Sequence, residues 1–168
     1  MARLILVCGP TGAGKTTYAI SMSKATKAIR FSIDPWMQTL YANDMTSIDF
    51  GWMMERVERC HEQIWEVSEQ ILQLDGNVIL DLGFTTRMQR GIFVDRGIQH
   101  NLNAEIHYLN ASPDIRKQRV RTRNREKDAS VYALEVTDEM FDFMERRFEV
   151  PDDNELKNGV AVNWSTGP

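Results

Sequence analysis

The sequence lacks the features of several protein classes. Its 168 residues include only two cysteines and five prolines, and no apolar stretch is long enough to cross a membrane. Cys8 and Cys60 are far apart, so we expect two buried thiols rather than a disulfide. The apolar run Leu4–Cys8 is too short for a signal-peptide core, which makes the cytoplasm the expected location. Without repeats or low-complexity linkers, the length fits one domain over residues 1–168.

Positive charge is scarce except in one short segment. The formal net charge is −4, yet seven Lys or Arg residues lie within residues 116–127, opposed there only by Glu126. Residues 31–55, in contrast, contain no Lys or Arg at all. A nucleic-acid backbone is bound through many cationic contacts, so this distribution is not typical of a general nucleic-acid binder. We therefore expect no nucleic-acid partner.

A phosphate-binding motif stands near the N-terminus. Gly9–Thr16 reads GPTGAGKT, the Walker A pattern G-x-x-x-x-G-K-[ST], between a strand-length apolar run and a helical pattern. Its glycines let backbone N–H groups approach a polyphosphate, Lys15 can reach the β- and γ-phosphates, and the Thr16 hydroxyl can bind Mg²⁺. The motif predicts that ATP is bound by Gly9, Pro10, Thr11, Gly12, Ala13, Gly14, Lys15, Thr16 and Thr17.

Strand-like and helical segments alternate along the rest of the chain. After Leu4–Cys8, the strand-like runs are Ala28–Ile33, Val78–Leu80, Ala104–Leu109 and Gly159–Val162. This alternation predicts an α/β fold with a five-stranded parallel sheet and helices on both faces. Ligands bind at the carboxyl edge of such a sheet, so we expect the site at the strand ends.

Two carboxylates are predicted at that edge. Asp81 follows Val78–Leu80 in the Walker B position, where it would hold Mg²⁺ or its waters; the alternative is a turn or helix cap. Asp34 is predicted to end the second strand, where it could take the proton of an acceptor hydroxyl during attack on the γ-phosphate. The alternative is that Asp34 caps a helix beginning at Pro35.

The basic segment is predicted to be a helix. Arg119 and Arg123 are four residues apart and share a face, from which they could neutralise the γ-phosphate; the alternative is a solvated basic helix. Like charges repel unless an anion lies among them, so we expect residues 116–127 to be mobile without nucleotide and protected with it.

Several segments in this order match a known family of proteins: Gly9–Thr17, Phe31–Asp34, Val78–Asp81 with Phe84 and Arg90, Arg119–Arg125, and Phe148–Pro151 with Glu155. Through them nearly the whole chain resembles the P-loop kinases grouped with zeta toxins, chloramphenicol phosphotransferase and the kinase domain of polynucleotide kinase. Within that group it is most similar to bacterial AAA-type ATP-binding proteins. The resemblance implies a P-loop NTPase fold with strand order 2-3-1-4-5 and an arginine-rich lid at about residues 116–130. It also implies that Arg119 stacks on adenine and Arg123 contacts the transferring phosphate.

These features predict a Mg²⁺-dependent ATP kinase with Lys15, Asp34 and Arg123 as catalytic residues. Residues 31–55 are acidic and rich in methionine and aromatic side chains, which favours a neutral or cationic, ring-bearing small-molecule acceptor. Related kinases often carry an arginine three residues after the strand-two aspartate, and Met37 occupies that position here. The alternatives are a 5′-polynucleotide kinase, and a nucleotide-binding regulatory module or ATPase without a small-molecule acceptor.

Overall fold

The computed structural model describes residues 2–44, 49–126 and 135–163. Residues 127–130, the end of the predicted lid, lie outside the described residues. The strands are β1 (Leu4–Cys8), β2 (Ile29–Ser32), β3 (Val78–Asp81), β4 (Glu105–Asn110) and β5 (Val160–Asn163). The helices are α1 (Lys15–Thr26), α2 (Ile33–Tyr41), α3 (Phe50–Gln73), α4 (Arg87–Gln99), α5 (Pro113–Glu126) and α6 (Asp138–Arg147), with a 3₁₀ turn at Ala42–Asp44.

The strands form one all-parallel sheet in the order β2-β3-β1-β4-β5. Every residue of β1 and β3 is buried, as expected for the inner strands of a sheet covered on both faces. Successive β1 side chains alternate between the faces: Leu4 and Leu6 pack in the core with residues of α3 and α4, and Ile5 and Val7 pack with residues of α1. The predicted fold class and strand order are confirmed.

Helix α2 corrects one detail of the prediction. Strand β2 ends at Ser32, so Asp34 does not end the strand but lies in the first turn of α2. The alternative helix beginning at Pro35 is closer to the structure, but the helix begins two residues earlier, and Pro35 falls in its first turn, where a missing N–H costs no helical hydrogen bond. Asp34 is not the N-cap either; that position is Ser32.

Helix α3 covers one face of the sheet, and its buried face contains polar as well as apolar residues. The buried positions include the polar residues His61 and Ser68, whereas Leu74, just beyond the helix, is 84 % exposed. Ser68 is accommodated because its hydroxyl donates to the carbonyl of Ile64 at 2.7 Å. No helix within the described ranges is long and apolar enough to span a membrane.

His61 makes stability depend on pH. Its Nε2–H donates to the carbonyl of Leu82 at 3.2 Å, and burial lowers the pKa of His61 below its ordinary value of 6.5, although Glu62 and Glu58 oppose the shift. Below pH 6.5 the unfolded chain therefore binds a proton that folded His61 resists, and stability falls as the pH drops.

We expect His61→Gln, which keeps an N–H donor, to flatten this dependence by up to about 1.4 kcal/mol per pH unit below pH 6.5. Urea unfolding at several pH values between about 5 and 7.5 measures it. Burial also lowers the pKa of His107, so the variant should retain part of the acid sensitivity. If the free energy of unfolding changed with pH equally in the variant and the wild-type protein, His61 would not be the source of the pH dependence.

Candidate active site

The loop from Gly9 to Gly14 joins β1 to α1 and packs closely against the neighbouring backbone. Gly12 has a φ of +78°, and a Cβ atom there would lie 2.6 Å from the carbonyl oxygen of Arg116 in α5. A Cβ at Gly9 would lie 2.6 Å from the carbonyl oxygen of Leu109 in β4. The two glycines are therefore required by this loop path and by the close approach of the α5 and β4 backbones.

Gly12→Ala should move the loop and α5 apart and weaken nucleotide binding by about tenfold or more, because the clash involves backbone rather than a flexible side chain. Gly91→Ala is the matched control, since a Cβ placed there would have none of the described residues within 4 Å apart from its chain neighbours and the backbone of its own helix. Titration with ATP measures both variants. Wild-type affinity of Gly12→Ala would contradict the role of this loop path in binding.

The first turn of α1 is arranged to receive an anion. Gly14 is the N-cap, so no side chain caps the helix and no acidic residue stands in its first turn. Lys15 is folded back on the loop, and its Nζ donates to the carbonyls of Gly9 at 2.9 Å and Pro10 at 3.1 Å. The uncapped N–H groups and the lysine thus supply donors and positive charge at one place.

Asp81 lies at the carboxyl end of β3, next to the Thr16 hydroxyl. Its side chain is 5 % exposed and accepts hydrogen bonds from Arg30 at 3.2 Å and from Ser32 at 3.5 Å. Burial raises the pKa of the Asp81 carboxyl. The positive charges of Lys15 and Arg30 and a hydrogen bond from Thr16 lower it, but by less. This environment places two oxygen donors, Asp81 and Thr16, beside the phosphate loop.

Arg30 and Ser32 were missed by the sequence analysis. They alternate on β2, and Ser32 is the register partner of Asp81, so both side chains reach the carboxylate from the neighbouring strand. Their positions two residues apart on the second strand, which was predicted to lie next to the strand of Asp81, could have indicated that both side chains are on the same face of the sheet.

Asp34 is exposed at the start of α2 and faces the same site. Burial lowers the pKa of Lys15, and the carboxylates of Asp81 and Asp34 are the first groups that oppose this shift. Burial also lowers the pKa of Arg123 in α5, and Asp34 opposes it. The Nε of Arg123 is buried and has no hydrogen-bond partner among the described residues. Four charged side chains therefore lie close together at the phosphate loop: Lys15, Asp34, Asp81 and Arg123.

Carboxylates of α6 pair with basic residues of α5 and neutralise part of the charge in the basic segment, while the expected change in its mobility on nucleotide binding stays a prediction. Arg121 pairs with Asp138 at 2.6 Å and Lys117 with Asp142 at 2.8 Å. Buried Arg116 makes two bonds to Glu145, at 2.6 and 2.7 Å, and donates to the carbonyl of Thr11 in the phosphate loop at 3.2 Å. The sequence did not reveal these anions because they lie on a different helix.

Arg119 lies one turn before Arg123 on the same helix. Farther along, the amide of Asn124 pairs with the backbone of Val136, with its nitrogen 2.8 Å from the carbonyl oxygen. This pair joins α5 to the chain that precedes α6.

A cavity of about 260 Å³ opens beside Asp34, between α2, α3 and the residues after β3. Its other lining residues include four methionines and two aromatic side chains: Met37, Met53, Met54, Met144, Tyr41 and Trp52. No Lys or Arg lines it within the described residues. The basic residues nearby make other contacts: Arg56 lies over the lining ring of Trp52, Arg87 pairs with Asp152, and Arg90 pairs with Glu155.

A magnesium ion fits the donor set at Thr16 and Asp81. The described residues contain no group of three or more His, Cys, Asp or Glu side chains that could hold a metal by themselves. Mg²⁺ at phosphate sites usually takes one or two protein oxygens and completes its shell with water and phosphate. Two hard oxygen donors beside the loop are compatible with that chemistry.

The sequence matches an AAA domain family model over residues 4–151. No curated protein matches it. Kti12 of Chaetomium thermophilum, solved with ADP-AlF3, is 16 % identical with a TM-score of 0.72, and the match covers 96 % of this chain and 89 % of that one. For a sugar kinase of Janibacter sp. the identity is 13 % and the TM-score 0.64, with 98 % and 86 % covered.

A chain of the Pnkp1/Rnl/Hen1 RNA repair complex is also similar, at 14 % identity and a TM-score of 0.64. The match covers 88 % of this chain and 46 % of that chain. At these identities the three structures show that the fold is shared.

Proposed function

The chain belongs to the AAA domain family, and from this and the geometry of its site we propose that it transfers the γ-phosphate of ATP to a hydroxyl of a small-molecule acceptor. At the coarser level it is a P-loop nucleotide-binding, kinase-like protein. The observation that carries the finer proposal is the position of Asp34, which lines the apolar cavity and is close enough to Lys15 of the phosphate loop to act on its charge. The proposed unit is one domain over residues 1–168, with a lid at about 116–130.

In the proposed reaction, the phosphate loop and the start of α1 bind the β- and γ-phosphates through backbone N–H groups. Lys15 leaves the carbonyls of Gly9 and Pro10 and pairs with the phosphate oxygens. Thr16 and Asp81 would hold Mg²⁺, which when bound neutralises charge on the β- and γ-phosphates. Arg119 would stack on the adenine, as the resemblance implies.

The acceptor hydroxyl would attack the γ-phosphorus in line with the departing ADP. A new oxygen–phosphorus bond forms, the bond to the bridging oxygen breaks, and ADP leaves with that electron pair. Asp34 takes the acceptor proton, and Arg123 compensates charge on the transferring group. The buried Nε of Arg123, which lacks a partner among the described residues, supports this role.

A phosphorylation screen with radiolabelled ATP tests the proposal. Purified protein is incubated with nucleosides, aromatic alcohols, sugars and a 5′-hydroxyl oligonucleotide, and products are identified by intact mass. The proposal expects one class of small alcohols to gain a phosphate. ATP hydrolysis without any phosphorylated acceptor would favour an ATPase or regulatory module, and labelling of the oligonucleotide alone would favour a polynucleotide kinase.

A further inference from the structure

We propose that the acceptor is an uncharged alcohol with a body of about two rings, bound in the cavity beside Asp34. This inference rests on the proposed function and names its substrate class. The first support is size. The cavity measures about 260 Å³, and since an apolar cavity of about 150 Å³ holds benzene, it has room for two linked or fused rings.

The second support is the chemistry of the walls. Methionine side chains adapt to the shape of a ligand and make favourable contacts with aromatic rings. Met37, Met53, Met54 and Met144 reach the cavity from three helices, so a ring inside it would meet sulfur on several sides. Tyr41 and Trp52 add aromatic surface and contact each other edge to face, with ring centroids 6.3 Å apart.

The third support is that several polar groups of the lining are already bonded within the protein. The Gln89 side-chain oxygen accepts from the backbone N–H of Thr85 at 2.9 Å, and the Thr85 hydroxyl donates to Gly83 at 3.0 Å. The Nε2–H of His61 donates to Leu82. A polyol placed here would leave hydroxyls without partners, which opposes binding, whereas a single hydroxyl could face Asp34.

The charged groups at the cavity favour neither anionic nor cationic acceptors. Asp34 lines the cavity and would repel a phosphate or carboxylate placed beside it, and no Lys or Arg of the described residues is among the lining residues. The Arg56 guanidinium lies 3.7 Å from the centre of the Trp52 ring and 5.7 Å from that of Tyr41. Arg56 thus already makes the cation–π contacts that a cationic ligand would need, and it would repel such a ligand. The earlier expectation of a neutral or cationic acceptor narrows to a neutral one.

Binding and transfer of 2-naphthalenemethanol, a two-ring primary alcohol, test the inference. Binding is measured by calorimetry without nucleotide, and transfer by intact mass with ATP, in parallel with gluconate and a 5′-hydroxyl oligonucleotide. We expect the naphthyl alcohol to bind and to be phosphorylated more efficiently than either competitor. Failure of the naphthyl alcohol to bind, or preference for gluconate or the oligonucleotide, would overturn the inference. Binding without transfer would instead contradict the proposed function and leave the cavity's preference for ring alcohols supported.

Two variants locate the binding. Met53→Gln keeps the side-chain length but adds a polar amide to the wall, and should weaken naphthyl alcohol binding by about tenfold without changing ATP affinity. Met88→Gln is the matched control, because Met88 is 73 % exposed on α4 and does not line the cavity. Arg56→Gln should improve binding of a ring alcohol that carries an amine. Wild-type alcohol affinity of a folded Met53→Gln protein would place the ligand outside the cavity.

Discussion

Lys15→Ala should lower ATP affinity by roughly a hundredfold and reduce phosphoryl transfer by on the order of a thousandfold or more. The ammonium donates to two carbonyls of its own loop, so it is held beside the phosphate site and exchanges these carbonyls for phosphate oxygens when ATP binds. Asp81 and Asp34 stand near it, and without the lysine their negative charges would face the triphosphate uncompensated. The loss therefore combines a missing attraction with an added repulsion.

Lys24→Ala is the control for this prediction, because Lys24 is an exposed lysine in the last turn of the same helix. Calorimetric titration with ATP and Mg²⁺ compares the two variants, and thermal unfolding checks that both are folded. If Lys15→Ala bound ATP like the Lys24 variant, the loop would not be the nucleotide site.

The sequence predicted the parts of this site that follow from local chemistry. The spacing of Gly9, Gly12 and Gly14 before Lys15 is dictated by the path of one loop, so it can be recognised without knowing the rest of the molecule. The position of Asp81 followed from a buried strand whose carboxyl end shares an edge with β1. The structure brings Asp81 and Asp34 to the loop, while the metal-binding role of Asp81 and the catalytic role of Asp34 stay predictions.

Features that depend on contacts between distant segments could not be predicted. Arg116 is one of seven basic residues in a short segment, and nothing local marks it as the buried one that joins Glu145 to the phosphate loop. The pair of Arg30 and Asp81 likewise depends on which strands are neighbours and in what register. The start of α2 was misplaced, and the helix was only the alternative interpretation, because Pro35 is as compatible with a first helical turn as with a strand end.

The distinction between a proton acceptor and a structural residue at Asp34 is the most consequential one for the reaction. As a structural residue, Asp34 would stabilise the first turn of α2 through the helix dipole, an effect of about 0.3–1 kcal/mol on an exposed side chain. As the base, it would contribute little to stability and much to turnover. A variant of Asp34 therefore separates the two roles: a structural role predicts a loss of stability with normal turnover, and the role of base predicts a loss of turnover with nearly normal stability.

Asp34→Asn should reduce turnover by about 10²–10⁴-fold, because the amide cannot take the proton of the acceptor hydroxyl. ATP affinity should remain at the wild-type level or rise slightly, since the substitution removes a negative charge close to Lys15 and Arg123. Asp44→Asn is the control, as Asp44 is an exposed carboxylate in the nearby 3₁₀ turn and does not line the cavity. Single-turnover kinetics, ATP titration and thermal unfolding separate the effects on chemistry, binding and folding. Wild-type turnover with a lowered unfolding temperature would assign Asp34 to the helix, and the proton would then need another acceptor.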